Sequence, residues 1–78
     1  MSLSPAQCRA ARALIEWSRD DLAEKAGVAV RTISDFESGR REPIRATVTM
    51  IRSSLEAAGV IFVDENGEGP GVRLRKGA

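Results

Sequence analysis

The sequence lacks histidine and tyrosine, and it has one cysteine, Cys8, among its 78 residues. Without histidine there is no imidazole for acid–base catalysis, and a single cysteine supports neither a Cys/His zinc site nor an internal disulfide. A chain of this length has room for one small domain and not for a second domain or a deep cleft, and it buries only about 60% of the surface that it exposes when unfolded. The composition therefore predicts a protein that is not an enzyme, has no catalytic residues and binds no metal or cofactor.

Long apolar runs are also absent. The longest has four residues, Val60 to Val63, whereas a membrane helix needs about 20. No secretory leader is visible, and a lone thiol suits a reducing compartment, so we expect a cytoplasmic protein with no membrane partner. Because so small a core is marginal by itself, the size also favours a homodimer.

The charge is nearly balanced, with 12 basic and 11 acidic residues, but it is unevenly distributed. Residues 40–45 contain three arginines against one glutamate, and residues 72–78 contain three cations and no acid. Both segments could face a polyanion. The alternative for each is an ordinary solvated loop or chain end.

Capping residues and apolar spacing predict four helices. Ser4, Pro5 and Gln7 have the order of a helix start, and the first helix should run to about Trp17. Its apolar stripe comprises Cys8, Ala11, Leu14 and Ile15. A second start at Ser18, with acids at 20 and 21 in the first turn, predicts a short helix that ends at Gly27.

Only three residues separate Ala26 from the next periodic segment, which is a helix-turn-helix spacing. The third helix should span about residues 29–38 and the fourth about residues 45–58, ending at Gly59. After Gly59, two β-prone segments flank an Asn66-Gly67 turn signal and predict a β-hairpin. We therefore divide the chain into a helical unit, 1–59, and a hairpin extension of the same domain, 60–78.

Residues 17–43, WSRDDLAEKAGVAVRTISDFESGRREP, closely resemble the helix-turn-helix of the Cro/phage-repressor (XRE) family. The matching positions are Ser18, Leu22, Ala23, Gly27, Ile33, Ser34, Glu37, Gly39 and Arg40. The resemblance extends over about residues 4–58. It implies a mainly α fold, namely a four-helix lambda-repressor-like DNA-binding domain, here with a C-terminal β-hairpin.

The third helix then corresponds to the recognition helix. With Ile33 and Phe36 turned inward, its outer face comprises Val30, Arg31, Ser34, Asp35 and Ser38, and the resemblance assigns the first four to base contacts. Alternatively, Arg31 and Asp35 form only an exposed ion pair. The candidates for phosphate contacts are Ser18, Arg19, Thr32, Arg40, Arg41 and Arg45. Many relatives have glutamine in place of Arg19, and a serine or threonine cap in place of Ala29.

The resemblance also implies a largely buried ion pair between Arg12 and Glu37, with a structural role. For a dimer interface we select the apolar residues of the hairpin, Val60, Phe62, Val72 and Leu74. The alternative is a hairpin that covers the chain's own fourth helix.

These features together predict a small transcriptional regulator that binds double-stranded DNA and represses by occupying an operator. The competing hypothesis is a protein-interaction module, such as an antitoxin or a helix-turn-helix adaptor with a protein partner.

Overall fold

The computed structural model describes residues 3–77. Over this range it contains four helices and a two-stranded antiparallel sheet, in agreement with the predicted architecture. The elements are α1 (Pro5–Leu14), α2 (Arg19–Ala26), α3 (Val30–Glu37), α4 (Arg45–Ala57), β1 (Val60–Val63) and β2 (Gly71–Leu74).

The first two helices begin with reciprocal hydrogen bonds between side chain and backbone. At the start of α1 the Ser4 hydroxyl accepts from the Gln7 amide, and the Gln7 carboxamide oxygen accepts from the Ser4 amide, each at 3.0 Å. Ser18 and Asp21 make the same pair of bonds at the start of α2, at 3.0 and 2.9 Å. Both starts were predicted from local sequence, because a cap requires only residues three positions apart.

The predicted end of α1 at Trp17 is wrong, because the helix stops at Leu14. The chain reverses at Glu16, which has a positive φ of 56°. Leu14 therefore lies in the last turn and is 39% exposed, whereas Cys8 and Ala11 on the same predicted stripe are fully buried. Ile15, just after the helix, still packs against the core, so Leu14 is the member of the predicted stripe that lies outside it.

The core lies between the four helices and one face of the hairpin. Its fully buried side chains include Leu22 of α2, Ile33 of α3, and Ile51 and Leu55 of α4. Between α2 and α3, Gly27 turns the chain with φ of 72°. A side chain there would meet only the Cε atom of Met50, at 3.9 Å, so the backbone conformation rather than lack of space accounts for the glycine.

The hairpin packs against the chain's own helices α1 and α4. Val60 pairs with Leu74 and Phe62 with Val72 across the strands, and both β1 residues are buried in the core. The prediction that Val60 and Phe62 form a dimer surface is therefore wrong, since these helices already cover them. Of the four selected residues, Val72 is half-buried and Leu74 is 39% exposed, so Leu74 offers the most apolar surface.

None of the helices within residues 3–77 combines the length and the apolar character that crossing a membrane requires.

Candidate nucleic-acid interface

The outer face of α3 is open. Ile33 and Phe36 are buried, which leaves Val30 and Arg31 exposed and Ser34 half-buried. The Arg31 side chain is 83% exposed, and its Nε lies 3.8 Å from a carboxylate oxygen of Asp35. A pair this long and this exposed holds the guanidinium only weakly, so Arg31 is available to another acceptor.

Several of the predicted contact residues line one open depression of about 400 Å³ at the start of α3. Its walls are formed by Ala29, Arg31, Thr32, Asp35, Arg41 and Pro43. The predicted base-contacting pair, Arg31 and Asp35, therefore lies beside two of the predicted phosphate-contacting residues, Thr32 and Arg41.

The arginine-rich loop after α3 is bonded to the end of that helix. The Asp35 carbonyl oxygen accepts hydrogen bonds from the amides of Arg40, at 2.9 Å, and Arg41, at 3.2 Å. The side chains of both arginines, and of Arg45 at the start of α4, are exposed. The loop backbone is thus fixed while its cations remain free to meet an anion.

The two predicted phosphate contacts at the start of α2 are less free. The Ser18 hydroxyl already accepts from the Asp21 amide. Arg19 donates from Nε to a carboxylate oxygen of Glu37 at 3.1 Å, with its side chain 47% exposed. The Arg19 side chain is therefore shared between solvent and the interior of the domain.

Glu37, at the end of α3, is the centre of a buried polar cluster. Arg12 of α1 donates to both carboxylate oxygens, from Nε and from a terminal nitrogen, each at 2.7 Å. The Cys8 thiol donates to the same carboxylate at 3.1 Å, and Arg9 donates to the Glu37 backbone carbonyl. The Glu37 side chain has no solvent exposure. Because it bonds to Arg12 of α1 and Arg19 of α2, this carboxylate joins both helices to α3.

The environment of Glu37 acts on its pKa in two opposing ways. Burial alone would raise the pKa, but the hydrogen bonds from Arg12, Cys8 and Arg19 outweigh it and hold the pKa below its usual value. Burial raises the pKa of the Cys8 thiol, and its hydrogen bond to Glu37 raises it further. At neutral pH the cluster therefore holds a thiol, a carboxylate and guanidinium groups.

Sequence reasoning missed three members of this cluster. The resemblance pointed to Arg12 and Glu37, but the contacts of Cys8, Arg9 and Arg19 with Glu37 were not foreseen. The nearest signal is spacing, because Cys8 and Arg12 are four residues apart and so share one face of α1. No local pattern relates Arg19 to Glu37, which lie 18 positions apart on different helices.

Two short helices joined by a tight turn, the second with an open outer face, define the helix-turn-helix class of DNA-binding domains. A family model described as helix-turn-helix matches residues 9–49 of this chain. The chain belongs to that family, the Cro/phage-repressor (XRE) type of DNA-binding transcription regulators, which are typically not enzymes. A search of curated protein sequences finds no significant match.

Proposed function

We propose that this protein is a cytoplasmic repressor that binds a specific double-stranded DNA operator through α3. The observation that carries the proposal is the open outer face of α3, where Arg31 is 83% exposed and only loosely paired with Asp35. A guanidinium in this state can donate two hydrogen bonds to one guanine in the major groove. Val30 can cover a thymine methyl group, and Asp35 can accept from a cytosine amine.

Phosphate contacts would orient α3 on the duplex without reading its sequence. The exposed side chains of Arg40, Arg41 and Arg45 lie in or next to the loop that follows α3. Thr32 and Arg41 share the depression with Arg31. This grouping supports a surface in which base contacts at the start of α3 are flanked by phosphate contacts.

A single recognition helix reads only a few base pairs, so we also propose a homodimer on half-sites about 34 Å apart. With Val60 and Phe62 buried, the remaining candidate is β2, the second strand of a sheet that has unpaired edges. Leu74 is its exposed apolar residue. Pairing of β2 with the same strand of a second copy would cover the strand edge and Leu74.

Selection from a random-sequence duplex pool, in about 150 mM salt, tests the DNA-binding proposal. Wild type, Arg31→Ala and Lys25→Ala are compared. Lys25 is an exposed cation beside Trp17 and α4, outside the proposed interface, so its replacement removes the same charge without touching α3. We expect wild type and Lys25→Ala to enrich one inverted repeat and Arg31→Ala to lose it.

Equal enrichment by Arg31→Ala would mean that α3 does not read bases through this residue. Failure of wild type to enrich any sequence would contradict the operator-binding proposal and favour the protein-partner hypothesis. For the dimer, light scattering after gel filtration should give twice the 8.4 kDa chain mass, and Leu74→Asp should give the monomer. A wild-type monomer at high concentration would contradict the dimer.

A further inference from the structure

The charges around Glu37 do not cancel. One carboxylate receives hydrogen bonds from two guanidinium groups, two bonds from Arg12 at 2.7 Å and one from Arg19 at 3.1 Å. Arg12 by itself donates to both carboxylate oxygens. The group of three side chains therefore retains one positive charge, and that charge lies toward solvent at Arg19, because Arg12 is only 18% exposed and Arg19 47%.

Arg19 uses one edge of its guanidinium to reach Glu37. Only its Nε donates to the carboxylate, and over residues 3–77 its two terminal nitrogens make no hydrogen bond. A guanidinium has five N–H donors in a fixed planar arrangement. The bond at Nε therefore restricts the directions in which the other four donors can point, and these donors remain available to an anion.

The start of α2 has little attraction for a phosphate apart from Arg19. Asp20 and Asp21 lie in its first turn, where their charges offset the positive end of the helix dipole. The Ser18 hydroxyl and the Asp21 amide are bonded to each other. An anion near this end of α2 would meet two carboxylates unless a cation were held in front of them.

We infer that Glu37 is a positioning residue for DNA binding: it orients the Arg19 guanidinium so that the terminal nitrogens meet a backbone phosphate beside α2. This inference rests on the proposed DNA-binding function and deepens it. The ion pair that stabilises the fold thereby also sets the strength of one phosphate contact. Arg12 neutralises the carboxylate, so Glu37 orients Arg19 without cancelling its charge.

Substitution of Arg19 separates orientation from charge. Lysine keeps the charge, but its three donors lie on one freely rotating nitrogen, so a bond to the Glu37 carboxylate does not aim a planar pair of donors at a phosphate as it does in a guanidinium. We expect Arg19→Ala to bind a short mixed-sequence duplex about tenfold more weakly than wild type. The logarithm of the binding constant should also fall less steeply with the logarithm of the salt concentration, the slope being smaller in magnitude by about 0.9. Arg19→Lys should bind about threefold more weakly than wild type or worse, which is at least half of the Arg19→Ala loss in binding free energy.

A double-mutant cycle then tests the role of Glu37. Among molecules that circular dichroism shows to be folded, Glu37→Gln should weaken binding about threefold when Arg19 is present and have no effect in the Arg19→Ala background. Lys25→Ala serves again as the matched loss of one exposed cation outside the interface. If Glu37→Gln does not fold, Arg19→Lys still tests the inference, because full affinity in that variant would overturn it.

Full affinity in Arg19→Lys would overturn the inference, since charge alone would then suffice. An equal effect of Glu37→Gln in both backgrounds would also overturn it, as would tighter binding in Glu37→Gln, which would mean that the carboxylate competes with the phosphate. In each of these cases wild type still binds DNA, and the proposed function stands. Absence of any salt-dependent binding by wild type would refute both proposals.

Discussion

At its C-terminal end α3 is bonded to α1 and α2 through Glu37, whereas at its N-terminal end it starts at Ala29, which makes no side-chain capping bond. The neighbouring helix α2 has the opposite arrangement at its start, where Ser18 and Asp21 form a capping box. Helix α3 is therefore held at the end away from the proposed base contacts. Its first turn, which would enter the major groove, has the weaker local support.

This difference predicts that stability and the reading of bases depend on opposite ends of one helix of eight residues. Changes near Glu37 should act mainly on the free energy of unfolding, because its carboxylate is buried and joins three helices. Changes at Val30 or Arg31 should act mainly on DNA binding, because these side chains are exposed. The following predictions test that separation.

Removal of Arg12 should have the largest effect. Arg12→Met keeps much of the side-chain volume but leaves the buried Glu37 carboxylate with only Arg19 and Cys8 as side-chain donors. We expect a loss of about 3–5 kcal/mol in the free energy of unfolding, the usual result when one partner of a buried ion pair is removed. Urea denaturation followed by circular dichroism measures it.

The matched control for this variant is Arg40→Met, which removes an exposed arginine just after α3. Its effect on stability should remain within about 0.5 kcal/mol. Similar losses in the two variants would mean that the buried pair contributes no more than a surface charge, and the contrast between the ends of α3 would fail.

The stability contributed by the charged form of Glu37 should depend on pH. Because the folded state lowers the pKa of this carboxyl, the contribution is fully present above the unfolded value, about 4.3, and is lost as the pH falls toward the folded pKa. The stability difference between wild type and Glu37→Gln should therefore shrink in acid. Urea denaturation between about pH 6 and pH 3, with the same stabilising osmolyte in every sample, measures it.

The comparison with Glu37→Gln is necessary because other carboxylates also titrate in this range. Both proteins retain those groups, so only the contribution of Glu37 differs between them. A stability difference that stays constant with pH would show that the carboxylate is stabilised no more in the folded state than in the unfolded state.

Local sequence signals predicted most of the fold. The starts at Ser4 and Ser18 depend on residues three positions apart, and the helix ends at Gly27, Gly39 and Gly59 coincide with positive φ values. Such signals act within one turn of the chain, so they can be read without knowledge of the tertiary structure. The end of α1 carried no such signal, because Glu16 takes a positive φ that glycine usually supplies.

Packing between distant parts of the chain was harder to predict from the sequence. The alternation of the hairpin was recognised, but Val60 and Phe62 were assigned to a second copy, although α1 and α4 cover them. Apolar spacing shows that a residue seeks burial and does not identify what buries it. The same limit applies to Arg19, which was predicted from a surface role alone, whereas its contact with Glu37 depends on how α2 and α3 cross.

The smallest predicted effect is a gain at the start of α3. Ala29 has extended backbone angles, φ of −70° and ψ of 145°, which suit a serine cap, so in Ala29→Ser the hydroxyl should accept from the Thr32 amide. We expect the free energy of unfolding to rise by about 1 kcal/mol without DNA. As a control, Ala10→Ser makes the same change at an exposed position inside α1 and should lower stability by up to about 0.5 kcal/mol. If both serines lower the melting temperature alike, the missing cap at Ala29 does not weaken the first turn of α3. The two ends of α3 would then be more evenly supported than their hydrogen bonds indicate.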